Sequence, residues 1–384
     1  MIPLSVPNVG GNAAAYVQSC LDSGWVSSAG AFVERFEREF AAYTKVRHAV
    51  ACVSGTAALQ LALQLAGVRP GDLVLVPTLT FIATVNAVHY LGAEPLFLDS
   101  DDSYCLDTDA VLAFLAERTE RRDEGTFDRT SGRRIAAALP VHVFGNAAPL
   151  ERLLAPLREA GIALVEDAAE SLGTVYTDGA LAGRHTGTVG ALGCFSFNGN
   201  KIITTGGGGM IVTDDDTLAQ RARYLSTQAK DDEVRYVHHE VGYNFRLTNL
   251  QAALGVAQME MLPGFLDTKR TNFLRYRAAL SDVEGLALSD GPAFARNNHW
   301  MYALQIDAAR YGRDRERLMT DLTAAGIQTR PVWELNHRQR PYAHCRHERV
   351  DCARRLHECT LNLPCSTNLT SEQVDAVCER LRHG

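Results

Sequence analysis

Several signatures are missing from this 384-residue chain, and each absence excludes a class of protein. Its nine cysteines, at positions 20, 52, 105, 194, 345, 352, 359, 365 and 378, never occur as Cys-x-x-Cys. Several sit inside apolar runs such as Ala51-Cys52-Val53, which suits reduced core thiols in a cytoplasmic protein rather than a disulfide framework. Cys345, Cys352 and Cys359 recur at equal spacing near His344, His347 and His357. A metal site and one face of a helix both fit that spacing, and no metal is expected. No apolar run approaches the roughly 20 residues of a membrane-spanning helix. Met1-Ile-Pro-Leu-Ser carries neither the charged nor the apolar part of a signal peptide, so neither a membrane partner nor export is expected. No Gly-x-x-x-x-Gly-Lys-Ser/Thr occurs, and Gly206–Gly209 lacks the strand–turn–helix context of a dinucleotide fingerprint. The formal net charge of −7 argues against non-specific nucleic-acid binding.

What is present is a regular alternation. Apolar strands are expected at 48–53, 73–76, 95–98, 135–143 and 162–165, separated by helices at 57–66, 81–90, 107–117 and 150–160. Short continuous apolar strands between helices predict a mostly parallel sheet covered on both faces. Residues 1–30 read as an arm, 31–264 as a large domain and 265–384 as a smaller α/β domain, with Pro263-Gly264 marking the boundary. The charged stretch 117–134 reads as a solvated excursion, in which a phosphate-binding role for Arg133 or Arg134 is the less favoured reading.

The chain is organised around Cys194-Phe-Ser-Phe-Asn-Gly-Asn-Lys201, four glycines from Gly206, and a second apolar run, 210–212. Lys201 is either an exposed hairpin lysine or an amine kept nucleophilic by burial, able to form a Schiff base with an aldehyde. Glycines let backbone approach a flat ligand. Ligands of open parallel sheets sit beyond the carboxyl ends of the strands, and two more groups are expected there. Ser54-Gly55-Thr56 opens a helix and suits a phosphate or a plain N-cap. Glu166-Asp167 ends a buried strand, where Asp167 can pair with a protonated ring nitrogen or cap a turn. Together with Ser196, these groups match the requirements of pyridoxal phosphate.

These motifs resemble the DegT/DnrJ/EryC1/StrS nucleotide-sugar aminotransferases. The similarity runs through Ser54-Gly-Thr-Ala-Ala-Leu, Thr80-Phe-Ile-Ala-Thr-Val-Asn86, Val165-Glu-Asp-Ala-Ala-Glu-Ser-Leu-Gly173, Ser196-Phe-Asn-Gly-Asn-Lys201 and Gly242-Tyr-Asn-Phe-Arg-Leu-Thr-Asn. It implies the aminotransferase fold type I, a large domain with a mostly parallel sheet plus a smaller C-terminal α/β domain, and pyridoxal 5′-phosphate as cofactor. The resemblance makes Lys201 the residue that carries the cofactor and moves protons. Asp167 pairs with the ring nitrogen, Phe81 stacks on the ring, and Glu170 lies near the phenolic oxygen. Ser54, Gly55, Thr56, Ala57 and Ser196 bind the phosphate, joined by Asn244 from a neighbouring subunit, so a homodimer is implied. Glu170 stands where many relatives have Gln or His.

A narrower resemblance, in Gly24-Trp-Val-Ser-Ser28, Pro140-Val-His-Val-Phe-Gly-Asn146 and Thr329-Arg-Pro-Val-Trp333, points to the legionaminic-acid subgroup. It implies transfer of an amino group from L-glutamate to C4 of a UDP-linked 2-acetamido-2,6-dideoxy-4-ketohexose. The competitor is amination of GDP-4-keto-6-deoxymannose, the perosamine synthase reaction, which shares Glu at position 170. Trp25, Ser27, Arg330 and His337 are candidate substrate contacts. A non-catalytic binding protein of the same fold and a nicotinamide-dependent oxidoreductase are the alternatives from other classes.

Overall fold

The computed structural model describes residues 1–232 and 234–383. A seven-stranded sheet carries strands β1 (His48–Cys52), β2 (Leu73–Pro77), β3 (Glu94–Leu98), β4 (Ile135–Ala138), β5 (Ala163–Asp167), β6 (Leu192–Ser196) and β7 (Gly209–Thr213) in the order β1-β7-β6-β5-β4-β2-β3. Only β7 runs against the rest, antiparallel to both β1 and β6. The carboxyl ends of β1, β2, β5 and β6 and the start of β7 therefore share one edge. Nearly every strand position is buried, because helices cover both faces, and this is why the strands read as unbroken apolar runs.

Alternation along the strands decides what faces the site. Phe195 and Phe197 turn into a core shared with Phe36 and Phe40, with ring centroids 5.0–6.1 Å apart. Ser196, between them, points the opposite way, towards a cavity at the sheet edge.

The sequence suggested a break at Pro263-Gly264, but a helix of 32 residues, Asn249–Leu280, runs straight through it. A capping box of Thr248 and Gln251 starts this helix. Buried Val256 and Leu262 before the proline, and Phe265, Phe273 and Tyr276 after it, hold both halves in place. That packing offsets the roughly 3 kcal/mol an interior proline costs. Beyond it lies a four-stranded antiparallel sheet of β8 (Leu286–Leu288), β9 (Tyr302–Ile306), β10 (Arg330–Pro331) and β11 (Thr360–Leu363), in the order β8-β9-β11-β10.

The charged excursion is a β-hairpin rather than irregular chain, pairing Thr119–Arg122 with Gly125–Asp128. Arg133 is bound to Glu94 at 2.8 Å and Arg134 to Asp72 at 2.6 Å, so neither side chain is available for a phosphate. All nine cysteines are unpaired, seven of them buried. Among the described residues no helix is long and apolar enough to cross a membrane.

Candidate active site

Strand β1 leads into Ser54, whose hydroxyl accepts a hydrogen bond from the Ala57 amide at 3.1 Å and caps the helix α1 (Gly55–Leu65). The two readings of this motif are compatible. Ser54 is the cap, and the amides of Gly55 and Thr56 in the first turn have no helical acceptor, at the positive end of the helix dipole. The Ala57 amide is spent on the cap, so Ala57 does not offer it to a phosphate. Glycine is required at 209, where a Cβ would lie 2.5 Å from the backbone carbon and oxygen of Ser54. A Cβ on Gly55 would come within 2.8 Å of the Cβ of Ser196. The backbone thus closes into a tight, donor-rich cradle lined by Ser54, Gly55, Thr56 and Ser196.

The two carboxylates ending β5 do different work because neighbouring side chains leave opposite faces of a strand. Glu166 is fully buried away from the cavity, where it takes His142 Nε2 at 2.9 Å and the amides of Gly187, Val189 and Gly190 at 2.6–2.8 Å. Burial alone would raise its pKa, but His142 and these amides outweigh it and hold the carboxylate below its usual range. Asp167 faces the cavity. Its Oδ2 accepts from the Thr84 hydroxyl at 2.7 Å and its Oδ1 from the Ala169 amide at 3.1 Å. Burial pushes Asp167 upward despite these donors and nearby Lys201.

Lys201 lies on the connection between β6 and β7. Their pairing, from Ser196 with Gly209 to Gly193 with Val212, is the hairpin foreseen, yet its lysine is not exposed. The connection folds back over the strand ends and leaves the Lys201 side chain 13% exposed. Its Nζ sits 3.5 Å from Glu170 Oε1 and 4.1 Å from the centre of the Trp300 ring. Glu170 Oε2 accepts from the Phe144 amide at 2.8 Å. Burial lifts the Glu170 carboxyl to about 7, with Lys201 and the Phe144 amide pulling the other way.

Phe81, half exposed, borders the same cavity just before helix α2 (Ile82–His89), its ring 6.1 Å from that of Trp333. The remaining candidates lie outside it. Trp25 and Ser27 instead tie the N-terminal arm to the long helix, their carbonyls accepting from Asn249 at 2.7 and 2.6 Å. Arg330 is exposed and donates to the Thr329 carbonyl. His337 meets the Thr78 hydroxyl at 2.7 Å and lies against His347, where burial and that neighbour lower it to about 4. Asn244 is exposed and does not line this chain's cavity. The spaced cysteines divide: Cys352 and Cys359 belong to the helix Asp351–Cys359, whereas Cys345 lies outside it. Cys345 groups with His344 and Glu94, but Glu94 is already paired with Arg133.

Sequence reasoning missed Thr84, Trp300 and Trp333 as parts of the site. Thr84 and Trp333 fell inside quoted motifs, but only the fold shows what their side chains touch. The residues present fit pyridoxal phosphate. The cradle supplies donors for a phosphate, and Lys201 supplies an amine for an aldehyde. Among the described residues Asp167 has only Thr84 and Ala169 as hydrogen-bond donors, which leaves it room for a protonated ring nitrogen.

Comparison with known proteins agrees with this assignment. The model of the DegT/DnrJ/EryC1/StrS aminotransferase family matches residues 7–382. A GDP-perosamine synthase of Caulobacter vibrioides is 37% identical, over 99% of this chain and 97% of its own length. A GDP-perosamine synthase of Escherichia coli O157:H7 is 34% identical over 99% and 97%. The crystal structure of DesI with its TDP-sugar product superposes with a TM-score of 0.87 at 31% identity, covering 99% of this chain and 92% of that one. The chain belongs to the DegT/DnrJ/EryC1/StrS aminotransferase family, as a pyridoxal-phosphate-dependent transaminase of nucleotide-linked sugars.

Proposed function

We propose that the enzyme transfers the amino group of L-glutamate to C4 of GDP-4-keto-6-deoxymannose, the reaction of a perosamine synthase. The observation that carries this reading is the full-length similarity to two GDP-perosamine synthases. Glu170, which the family resemblance implies is shared with perosamine synthases, stands beside Lys201 in the cavity and supports the same choice. The UDP-linked legionaminic precursor suggested by the narrower resemblance is the competing substrate.

Ser54, Gly55, Thr56 and Ser196 would hold the phosphate, Asp167 would pair with the ring nitrogen, and Phe81 would cover the ring. Pyridoxal phosphate, when bound, supplies an electron sink for the carbon that loses its proton. With its amine free, Lys201 would take the α-proton of glutamate on Nζ and return a proton to C4 of the sugar. Glu170, titrating near 7 beside that amine, shares its proton and keeps the lysine over the site. Trp300 and Trp333 wall the cavity against water.

The working unit is a cytoplasmic homodimer in which Asn244 completes the partner's phosphate site. In support, Asn244 is exposed, and the same stretch shows Val234, Tyr236 and Val241 to solvent at 85, 72 and 83%.

The test is a half-reaction. Glutamate converts the purified enzyme to its amino form and bleaches the yellow band, after which the GDP-linked and UDP-linked 4-keto-6-deoxy sugars are added separately. Colour returns with the GDP sugar on this reading. Return with only the UDP-linked N-acetyl sugar overturns it.

A further inference from the structure

We infer that Trp300 is a positioning residue for Lys201, its indole face being the place where the free ammonium rests between proton transfers. The inference rests on the reading of Lys201 as the cofactor-bearing lysine. Three observations carry it.

First, the lysine Nζ lies 4.1 Å from the indole centre, within the range of a cation–π contact, and only 3.5 Å from Glu170 Oε1. The amine is thus held between an aromatic face and a carboxyl, over the cavity that both residues line.

Second, the indole is fixed from several sides. Trp300 is 3% exposed. Its Nε1 donates to the carbonyl of Asn200, the residue before Lys201, at 2.8 Å. Its backbone amide donates to Asn298 Oδ1 at 2.9 Å, and its carbonyl accepts from the buried Lys269 Nζ at 2.7 Å. Lys269 has no carboxylate partner among the described residues; its hydrogen bonds go to the carbonyls of Trp300 and Cys365. A buried lysine used in this way has an evident task in anchoring the loop that carries the tryptophan.

Third, the same loop holds Glu170. The Asn298 side-chain amide donates to the carbonyls of Glu170 and Leu172 at 2.8 and 2.9 Å. Between Asn298 and Trp300, His299 takes a left-handed φ of 51°, a conformation a non-glycine residue keeps only where its surroundings impose it. One strained loop therefore sets the position of both groups that flank the amine.

The chain has four lysines, Lys45, Lys201, Lys230 and Lys269, which makes a cofactor-free measurement practical. The apoenzyme is reductively methylated with ¹³C-formaldehyde, and the methyl signal of Lys201 is assigned by its loss in Lys201→Arg. Ring current from the indole shifts that signal upfield of those of exposed Lys45 and Lys230, and Trp300→Leu returns it to their range. A Lys201 signal already in the exposed range in the unsubstituted protein overturns the inference.

The loaded enzyme gives the second readout. Bleaching by glutamate slows on the order of fivefold in Trp300→Leu, with an enlarged isotope effect from α-deuterated glutamate and KM little changed, whereas Trp300→Phe recovers most of the rate. Equal loss in both variants, or an unaltered isotope effect in Trp300→Leu, sinks the proposal. If Trp300→Leu does not fold, fluorinated tryptophans at position 300 keep the shape and weaken the π face; a rate indifferent to fluorination overturns the proposal equally. Borohydride reduction and peptide mapping separate the two levels. Label on a lysine other than 201 removes the underlying reading as well, while label on Lys201 with no Trp300 effect removes this inference alone.

Discussion

The Thr84 hydroxyl donates to Asp167 Oδ2 across 2.7 Å, joining the helix that follows Phe81 to the strand that ends at the cavity. This bond orients the carboxylate assigned to the cofactor ring, since the other oxygen is held only by the Ala169 amide. Thr84→Val keeps the shape and removes the donor. Cofactor affinity is expected to fall about five- to tenfold, matching the roughly 1 kcal/mol of one hydrogen bond. An absorbance titration of apoenzyme with pyridoxal phosphate reads this, and an unchanged Kd contradicts it.

Glu166 and Asp167 are adjacent in sequence, yet their substitution should separate cleanly. Glu166→Gln leaves the His142 contact and the amides of Gly187, Val189 and Gly190 imperfectly matched in a fully buried place. A loss of about 3 kcal/mol of stability is expected, with turnover per folded molecule retained. Asp167→Asn should do the reverse, folding normally and losing turnover. Thermal melts beside active-site titration distinguish the two.

The raised Glu170 carboxyl makes stability depend on pH with a definite sign. Its folded value of about 7 lies above the ordinary value of 4.5, so the folded state holds its proton more tightly. That contribution is complete below about pH 4.5 and is lost as pH rises through about 7, on the order of 3 kcal/mol in all. Apoenzyme melting temperatures should therefore fall from pH 5 to pH 8 more steeply in the unsubstituted protein than in Glu170→Gln. Parallel slopes would show that Glu170 is not protonated in this range.

The shared active site can be tested by mixing two inactive proteins. If Asn244 serves the partner's cavity, a dimer of one Lys201→Ala chain and one Asn244→Asp chain contains one intact site and one doubly impaired site. Refolding equal amounts together should restore about a quarter of full activity, the statistical share of intact sites among random dimers. No recovery, with mixed dimers shown to form, contradicts a site built from two chains.

The sheet was legible because strands covered on both faces are continuous apolar runs, and because Lys201 and Asp167 are groups that a buried strand end does not accept without a chemical reason. The sequence hid what depends on distant partners. The hairpin Thr119–Arg122/Gly125–Asp128 carries charges where a strand is expected to be apolar, and one of them, Asp128, is buried against Arg346. Pro263 signalled a helix end, but apolar contacts on both sides carry the helix through. Trp300 reaches Lys201 from across the fold, a contact that its neighbours in sequence do not reveal. Arg330 and His337 were singled out by charge and residue type, and each is occupied locally in this chain, by the Thr329 carbonyl and the Thr78 hydroxyl.

The most direct test of the proposed chemistry is Lys201→Ala, purified with excess pyridoxal phosphate and assayed with glutamate and the GDP-linked 4-keto sugar. The variant should fold with an unchanged melting profile, lack the lysine-linked yellow band, and form no amino sugar. Full turnover in Lys201→Ala would contradict the central claim that this lysine carries the cofactor and moves the proton.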